Sequence, residues 1–351
     1  MDEPFQTLLN AAVLAPSGDN TQPWRFVIDA ATRRVFLHVD ETRDPSPMNV
    51  SQCMSRLAVG AALENMLRVA QGNGWTVCVE PPSRGAAAVL RVTDFHPEPA
   101  VLDPTLLSRV TNRRRYDGQA VATEQITRLQ HECHGMNGVR VCWVCERQPL
   151  DALASLMGRS DGLMLSEPSM RRAFLDNVRF DLSANTQAEE YLPLGSLELP
   201  LADRLALRIL PYIPNWVLRF GGARWKFAAA SRQLVRSASG VCLVVAEDNA
   251  PETDLSAGRV LQQMWLALNA AGLAVQPMMS LAILENVLRH GDAELIRSLG
   301  HDAAQSLVTE LRNLVPEIAK GRVAFIMRFG HAQPPTARAG RRPLEVCTTE
   351  F

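Results

Sequence analysis

The run LAPSGDNTQPWRF at residues 14–26 constrains the fold more than any other stretch of this 351-residue chain. Pro16, Ser17, Gly18, Asp19 and Asn20 end the helical pattern before them, because short Ser, Asp and Asn side chains bond nearby backbone and stabilise a turn. From Gln22 the pattern becomes extended: Pro23 fixes one backbone angle, and Trp24, Phe26 and Ile28 alternate onto one face of a strand. A helix, a packed loop and a strand therefore meet here, and the loop offers amide and hydroxyl groups from a rigid base. Alone, such a segment is equally an ordinary polar loop entering a strand.

The rest of the chain supplies the surroundings. Phe5, Leu8, Leu9, Ala12 and Val13 at helical spacing predict a short amphipathic helix over 4–15, and strands follow at 27–28 and 35–39 with a hairpin connection at 29–34. After the Pro-rich turn at 44–47, residues 51–72 predict a long helix, whose Ala58, Gly60, Ala61 and Ala62 permit close approach and which Gly72 and Gly74 end. Strands at 75–80 and 87–94 flank the turn at 81–85. The Pro-containing stretch 96–104 is the best boundary, giving halves of 1–102 and 103–351. Beyond it come helices at 103–110 and 123–134, a strand at 139–146, and two helices within 149–178. A buried strand at 239–247, a helix at 253–271 and a buried strand at 321–329 complete the pattern. No short repeat period is visible, though two halves of related design are compatible with it.

Residues 180–236 interrupt this alternation with an insertion rich in Leu, Pro and aromatics, including Tyr191, Tyr212, Trp216 and Trp225. Ordinary connections run to about 4–6 residues, so an insertion this long is a lid, a binding element or a linker, and its hydrophobicity argues against disorder.

Composition excludes several function classes. A 47% hydrophobic content suits a packed interior without metal or disulfides, and seven scattered cysteines suit reduced thiols. A net charge of −1 gives no global attraction to nucleic acid or acidic membranes. Asp2 and Glu3 argue against an export signal, and no uncharged run reaches the length of a membrane span. The expectation is a cytoplasmic protein with no nucleic-acid and no membrane partner.

Three constellations could carry chemistry. Arg109, Thr111, Asn112 and Arg113 precede a Tyr-Asp-Gly turn; forked guanidinium groups and a hydroxyl converging on one point suit a phosphate monoester. The tail at 331–343, with Arg338, Arg341 and Arg342, is a second basic cluster. The third is the run GLAVQPMM at 272–279, after the helix at 253–271; its methionines alone are more often core than contacts. A zinc site from His131, Cys133, His134, Cys142 and Cys145 is disfavoured, since strand alternation puts Cys142 and Cys145 on opposite faces and no second C-x-x-C pair exists. Neither a Gly-rich phosphate loop nor a G-x-S-x-G elbow is present, which disfavours nucleotide-fold dehydrogenases and serine hydrolases.

Ala15, Pro16, Ser17, Asn20, Gln22, Pro23, Trp24 and Phe26 fill an A-P-S-x-x-N-x-Q-P-W-x-F pattern, and in this the chain resembles the nitroreductase superfamily, where that loop borders the ring of FMN. The resemblance implies an α+β, nitroreductase-like fold with mixed, mainly antiparallel sheets flanked by helices. It also implies that Pro16, Ser17, Asn20 and Gln22 contact the flavin; that Arg109, Thr111, Asn112 and Arg113, with Arg341 or Arg342, hold its phosphate; and that the backbone at Pro277, Met278 and Met279 passes along the ring. The flavin's own N5 then carries the chemistry, no protein residue being catalytic and no metal being required. The loop and the arginine run occur once each and in different halves, so the chain resembles a fused pseudo-dimer of the Acg-like branch, with one FMN per chain and further association open. The implied activity is an FMN-dependent oxidoreductase that passes electrons to a small nitro, quinone or other conjugated acceptor, with NADH or NADPH as candidate donor. Two other readings stay open: a flavin-sequestering stress protein whose lid over Tyr191 to Trp225 blocks turnover, and, weakest, a membrane-surface role for 199–220.

Overall fold

The computed structural model describes residues 3–95, 100–133, 135–180, 189–220 and 222–350. Along the chain, α1 (Glu3–Ala12) buries Phe5, Leu8, Leu9 and Ala12 and stops before Pro16. β1 (Trp24–Asp29) and β2 (Arg34–Val39) form the expected hairpin, α2 (Cys53–Gly72) follows, and β3 (Thr76–Glu80) and β4 (Ala88–Asp94) end the first run. Next come α3 (Pro104–Ser108), capped by the Asp103 carboxylate, then α4 (Thr123–Glu132), β5 (Gly135–Met136) and β6 (Val139–Val144). α5 (Arg147–Ser166) and α6 (Pro168–Asp176) part at Glu167, whose carboxylate accepts from the Met170 amide and caps α6.

The insertion contains the small parallel pair β7 (Val178–Arg179) and β8 (Leu192–Pro193), then α7 (Leu201–Ile209), α8 (Asn215–Phe220) and α9 (Ala223–Arg236). After it come β9 (Gly240–Ala246), α10 (Pro251–Ala270) and β10 (Ala274–Pro277). Helices α11 (Ser280–His290), α12 (Ala293–Leu299) and α13 (His301–Leu314) lead to β11 (Arg322–Gly330), and β12 (Thr348–Glu350) closes the chain. The helix expected over 123–134 ends at Glu132, and His134 lies outside the described residues.

The architecture is α+β, with two five-stranded sheets of the same design. One runs β12-β1-β2-β4-β3 and the other β5-β6-β9-β11-β10. Neighbours are antiparallel throughout, except that β12 joins β1 in parallel. In each sheet a 20-residue helix, α2 or α10, links the third strand of that order to the fifth. β9 and β11 are buried along their whole length, as the unbroken apolar runs at 239–247 and 321–329 predict for strands covered on both faces.

The sheets are held together where α2 and α10 lie side by side. A Cβ on Gly60 would sit 2.1 Å from the Leu255 carbonyl oxygen, and a Cβ on Gly258 would sit 2.1 Å from that of Leu57, so each helix supplies one glycine to the other's backbone. Around this contact Gln262 Nε2 donates to Asn65 Oδ1 at 2.7 Å and Gln263 Nε2 donates to Glu64 Oε1 at 2.8 Å. Arg259 pairs with Glu64 at 2.9 Å, and Arg56 pairs with Asp254 at 2.7 Å. Apolar packing is continuous across the seam: one cluster takes Trp24, Phe26 and Leu37 from the first sheet together with Met264, Trp265 and Met327. Among the described residues, no helix is long and apolar enough to cross a membrane.

Candidate functional site

The loop after α1 is held in a conformation that its residues would not choose freely. Asp19, Asn20 and Gln22 all have positive φ, at 45°, 58° and 52°. Left-handed backbone is tolerated by Asn and Asp but costs a longer side chain such as Gln more. Such strain persists only where the surroundings over-determine it, and here they do. The Gln22 amide donates to Ser17 Oγ at 3.0 Å, and its side-chain Nε2 donates to the Glu189 carbonyl at 2.7 Å. Gln22 Oε1 accepts from the Arg342 amide at 2.9 Å. Asn20 Nδ2 donates to the Tyr191 and Gly340 carbonyls at 3.2 and 3.3 Å, while its Oδ1 accepts from Arg341 Nη1 at 3.0 Å. The loop is therefore tied both to the insertion and to the C-terminal tail.

A cavity of about 310 Å³ opens beside this loop. Its walls come from both halves: Leu57 and Ala58 of α2, Leu261 and Trp265 of α10, Met279 and Ile283 around α11, and Phe325 of β11. This is the size and largely apolar character of a small-molecule site. At one end three arginines converge. Arg109 is buried, its guanidinium lying 4.7 Å over the Trp265 ring and donating from Nη2 to the Leu14 carbonyl at 3.4 Å. Arg341 donates to carbonyls of Ala15 and Gly340 at 3.0 and 2.8 Å, and Arg338 donates to the Arg109 carbonyl at 2.6 Å. None of the three forms an ion pair among the described residues, and Nε of Arg109 and of Arg341 are buried without a hydrogen-bond partner.

The electrostatics follow from that geometry. Burial, then the charges of Arg341 and Arg338, push the Arg109 guanidinium well below its ordinary pKa. Arg341 falls to about 10, again through burial first and Arg338 second. Concentrating like charges away from water is unfavourable unless an anion joins them. At the other side Arg113 donates from Nη1 to the Ser196 carbonyl at 3.0 Å and faces Asp19. Burial raises the Asp19 carboxyl despite an Asn177 hydrogen bond and Arg113. Asp44, beside it, is pushed up to about 6 by burial and by the Asp19 charge.

Of the residues singled out in the sequence, Pro16, Ser17, Asn20, Arg109, Thr111, Arg113, Pro277, Met279 and Arg341 line this cavity. The other four do not, and each has a structural use. Gln22 is fully buried as the brace just described. Asn112 donates to the Gln333 carbonyl at 2.8 Å and accepts from the Arg114 amide, fixing the turn that aims Arg113. Met278 packs in the second sheet's core and commits its amide to Ile326. Arg342 pairs with Glu190 at 3.0 Å and does not line the cavity, whereas Arg341 does.

Residues missed from the sequence are Arg338, Asp19 and Trp265. Arg338 stood in the basic tail, but the tail has no regular structure from which to read which arginine turns inward. Asp19 passed as a turn former, and nothing distinguishes Trp265 from an ordinary core residue of α10. Part of the insertion reaches the cavity and part does not. Leu192, Ser196 and Leu197 line the cavity and the Tyr191 amide donates to the Asn20 carbonyl at 3.3 Å, whereas Tyr212, Trp216 and Trp225 face outward. Residues 181–188 of the insertion lie outside the described residues. Among the described residues no cluster of His, Cys, Asp or Glu could hold a metal ion, and all seven cysteines are free thiols.

No family model matches the chain. It is 27% identical over 348 residues to the uncharacterized protein MT1398 of Mycobacterium tuberculosis (strain CDC 1551 / Oshkosh), covering 96% of this chain and 47% of the relative, so the chain spans about half that relative's length. Among solved structures it is similar to the FMN-dependent nitroreductase NfnB from Mycobacterium smegmatis in complex with NADPH, at 16% identity and a TM-score of 0.38, covering 70% of this chain and 95% of that one. It is also similar to an FMN-dependent nitroreductase from Clostridium difficile R20291, at 15% identity and a TM-score of 0.35, covering 67% and 95%. A third is a nitroreductase with bound FMN from Bacteroides fragilis NCTC 9343, at 14% identity and a TM-score of 0.32, covering 66% and 87%.

Proposed function

We propose that the chain is an FMN-dependent oxidoreductase of the nitroreductase type, built as a fused pseudo-dimer of the Acg-like kind with halves at 1–102 and 103–351 and one flavin per chain. The observation that carries this reading is the meeting of Arg109, Arg338 and Arg341, with no ion-pair partner among the described residues, at one end of a cavity whose walls are largely apolar, with Asp19, Asn20 and Arg113 among its polar lining. A phosphate monoester fits the two partnerless Nε groups, because forked guanidinium groups match phosphate oxygens and the anion's charge offsets the repulsion among the three cations. Flat apolar walls from Leu57, Ala58, Trp265 and Phe325 suit an aromatic ring system. The shared strand order of the two sheets supports the pseudo-dimer reading.

When bound, FMN supplies hydride and electron transfer at its N5, with NADH or NADPH as candidate donor and a nitro, quinone or other conjugated molecule as acceptor. The chain's own residues bind, orient and shield. Arg109, Arg338 and Arg341 fix the phosphate end. Asn20 and Ser17 hold the loop against the ring end, with Pro277 and Met279 opposite. Residues 191–197 exclude water from that side through the Tyr191 and Ser196 backbone contacts. Asp19, held neutral more readily by burial, is the carboxyl on the wall able to keep a proton near an acceptor.

Those same contacts favour a second reading, flavin sequestration. The strap is fastened to the site by Asn20, Gln22 and Arg113 at once. Purified protein should carry FMN absorbance, or acquire it on reconstitution, and anaerobic NADH or NADPH should bleach that band. A yellow protein that stays oxidised with both donors moves the reading to sequestration. A protein that cannot take up FMN refutes both.

A further inference from the structure

The outer surface of the insertion is unlike the rest of the molecule. Of the eleven large apolar side chains that the described residues leave exposed, seven lie between Leu201 and Phe227. Leu201, Leu205 and Ile209 fall at i, i+4 and i+8 on one face of α7, and Tyr212, Trp216 and Trp225 are exposed on the segments that follow it. These six are between 56% and 84% exposed. The opposite face of the same segment is spent on the fold: Leu207, Leu210 and Leu218 pack with Leu192 and Leu197, two residues of the cavity wall. α7 thus has two apolar faces, of which one is covered. Exposed apolar surface concentrated in one segment in this way marks an interaction site.

Charge says what covers it. Residues 199–232 hold Arg204, Arg208, Arg219, Arg224, Lys226 and Arg232 against a single acid, Asp203, in a chain whose net charge is −1. On α7, Arg204 and Arg208 flank the apolar stripe, anchored through the Leu199 and Phe180 carbonyls. A second copy of this chain meeting the patch face to face would set like charges against each other, Arg204 and Arg208 among them. A surface that offers negative charge and an apolar layer together meets both halves of the pattern, and Trp and Tyr belong at such an interface.

We propose that the face of α7, α8 and the start of α9 docks on an anionic lipid membrane, with Leu205, Ile209 and Trp216 entering the acyl boundary and Arg204, Arg208 and Lys226 at the headgroups. This revises the expectation of no membrane partner, which rested on net charge and on the lack of a spanning run; an interfacial helix needs neither. The docking face backs directly onto the cavity wall through Leu207 and Leu210.

The test is flotation of the full chain with vesicles of phosphatidylcholine alone or of phosphatidylcholine mixed with phosphatidylglycerol, at low and high salt. Binding is expected to the mixed vesicles only, and weaker at high salt. Leu205→Asp should weaken it by about 30-fold, the loss of one buried leucine, and Arg208→Gln by about fivefold. Val101→Asp, at an exposed apolar residue away from the patch, should change nothing. Because Leu205 is exposed, its variant should keep the wild-type unfolding temperature, so loss of binding is not loss of fold. The proposal is overturned by absence of flotation, by equal binding to both vesicle types, by Val101→Asp acting like Leu205→Asp, or by a solution dimer that Leu205→Asp breaks.

Discussion

The seam between α2 and α10 and the cavity beside it are both rich in buried charge, and they handle it in opposite ways. In the seam each cation has its anion: Asp254 takes both Arg56 and Arg322, and Glu64 takes Arg259. Glu285 does the same for Arg289 and Arg312 near the second sheet. At the cavity, Arg109, Arg338 and Arg341 meet backbone carbonyls and one another. A buried cation with a partner in the chain holds structure, and a cluster without one implies that the missing charge arrives from outside.

The largest effect is expected where the seam is tightest. Gly60→Val would push a side chain into the Leu255 carbonyl, and Gly258→Val into that of Leu57. Each should lower unfolding free energy by about 3 kcal/mol or more, read from the urea midpoint, since backbone cannot yield as a flexible side chain can. A variant with an unchanged midpoint would show that the helices do not approach this closely.

The next pair separates the two kinds of arginine directly. Arg322→Ala strands the buried Asp254 with Arg56 alone and should cost about 3 kcal/mol of stability while leaving FMN affinity unaltered. Arg341→Ala should do the reverse, weakening FMN about 10–100-fold by fluorescence titration, as loss of a charged hydrogen-bond donor predicts. If both variants lose stability and affinity together, the distinction between seam and cavity fails.

The smallest effect concerns acid. Asp44 has its pKa raised from 3.8 to about 6, chiefly by burial, with Asp19 adding repulsion. A raised carboxyl pKa favours the protonated fold, so the stability linked to Asp44 is complete below its unfolded pKa and is lost as pH rises through about 6. Asp44→Asn should remove this slope and add on the order of 1–3 kcal/mol at neutral pH. Parallel stability curves for the two proteins between pH 4 and 7, about the range the shift spans, would refute it.

Local periodicity carried much of the fold. The small residues of α2 announced a close helix contact, and Gly60 makes it; the apolar runs announced β9 and β11. What was hidden lay in pairings between distant segments. The partnership of β12 with β1 leaves no mark in TTE, and α11 to α13 fall between strands that drew attention first. The same division holds for the site. Arg109, Thr111 and Arg113 sit on a local run with a visible pattern, whereas Arg338 is chosen over Arg342 by where an irregular tail crosses the molecule. Met278 was not placed by pattern because it follows the end of β10, where its side chain turns into the core and its amide bonds the Ile326 carbonyl. The outward aromatics of α8 and α9 show the converse: hydrophobicity in sequence says that a side chain wants cover and not which surface provides it.

The tie between Asn20 and the Gly340–Arg341 segment spans 320 positions. During synthesis the chain can therefore build its hairpin, its first long helix and even the two-helix seam while the anion pocket has no floor. On the proposed function, cofactor capture is then a late event in the life of each molecule, and a polypeptide stalled before Arg338 should take up no FMN.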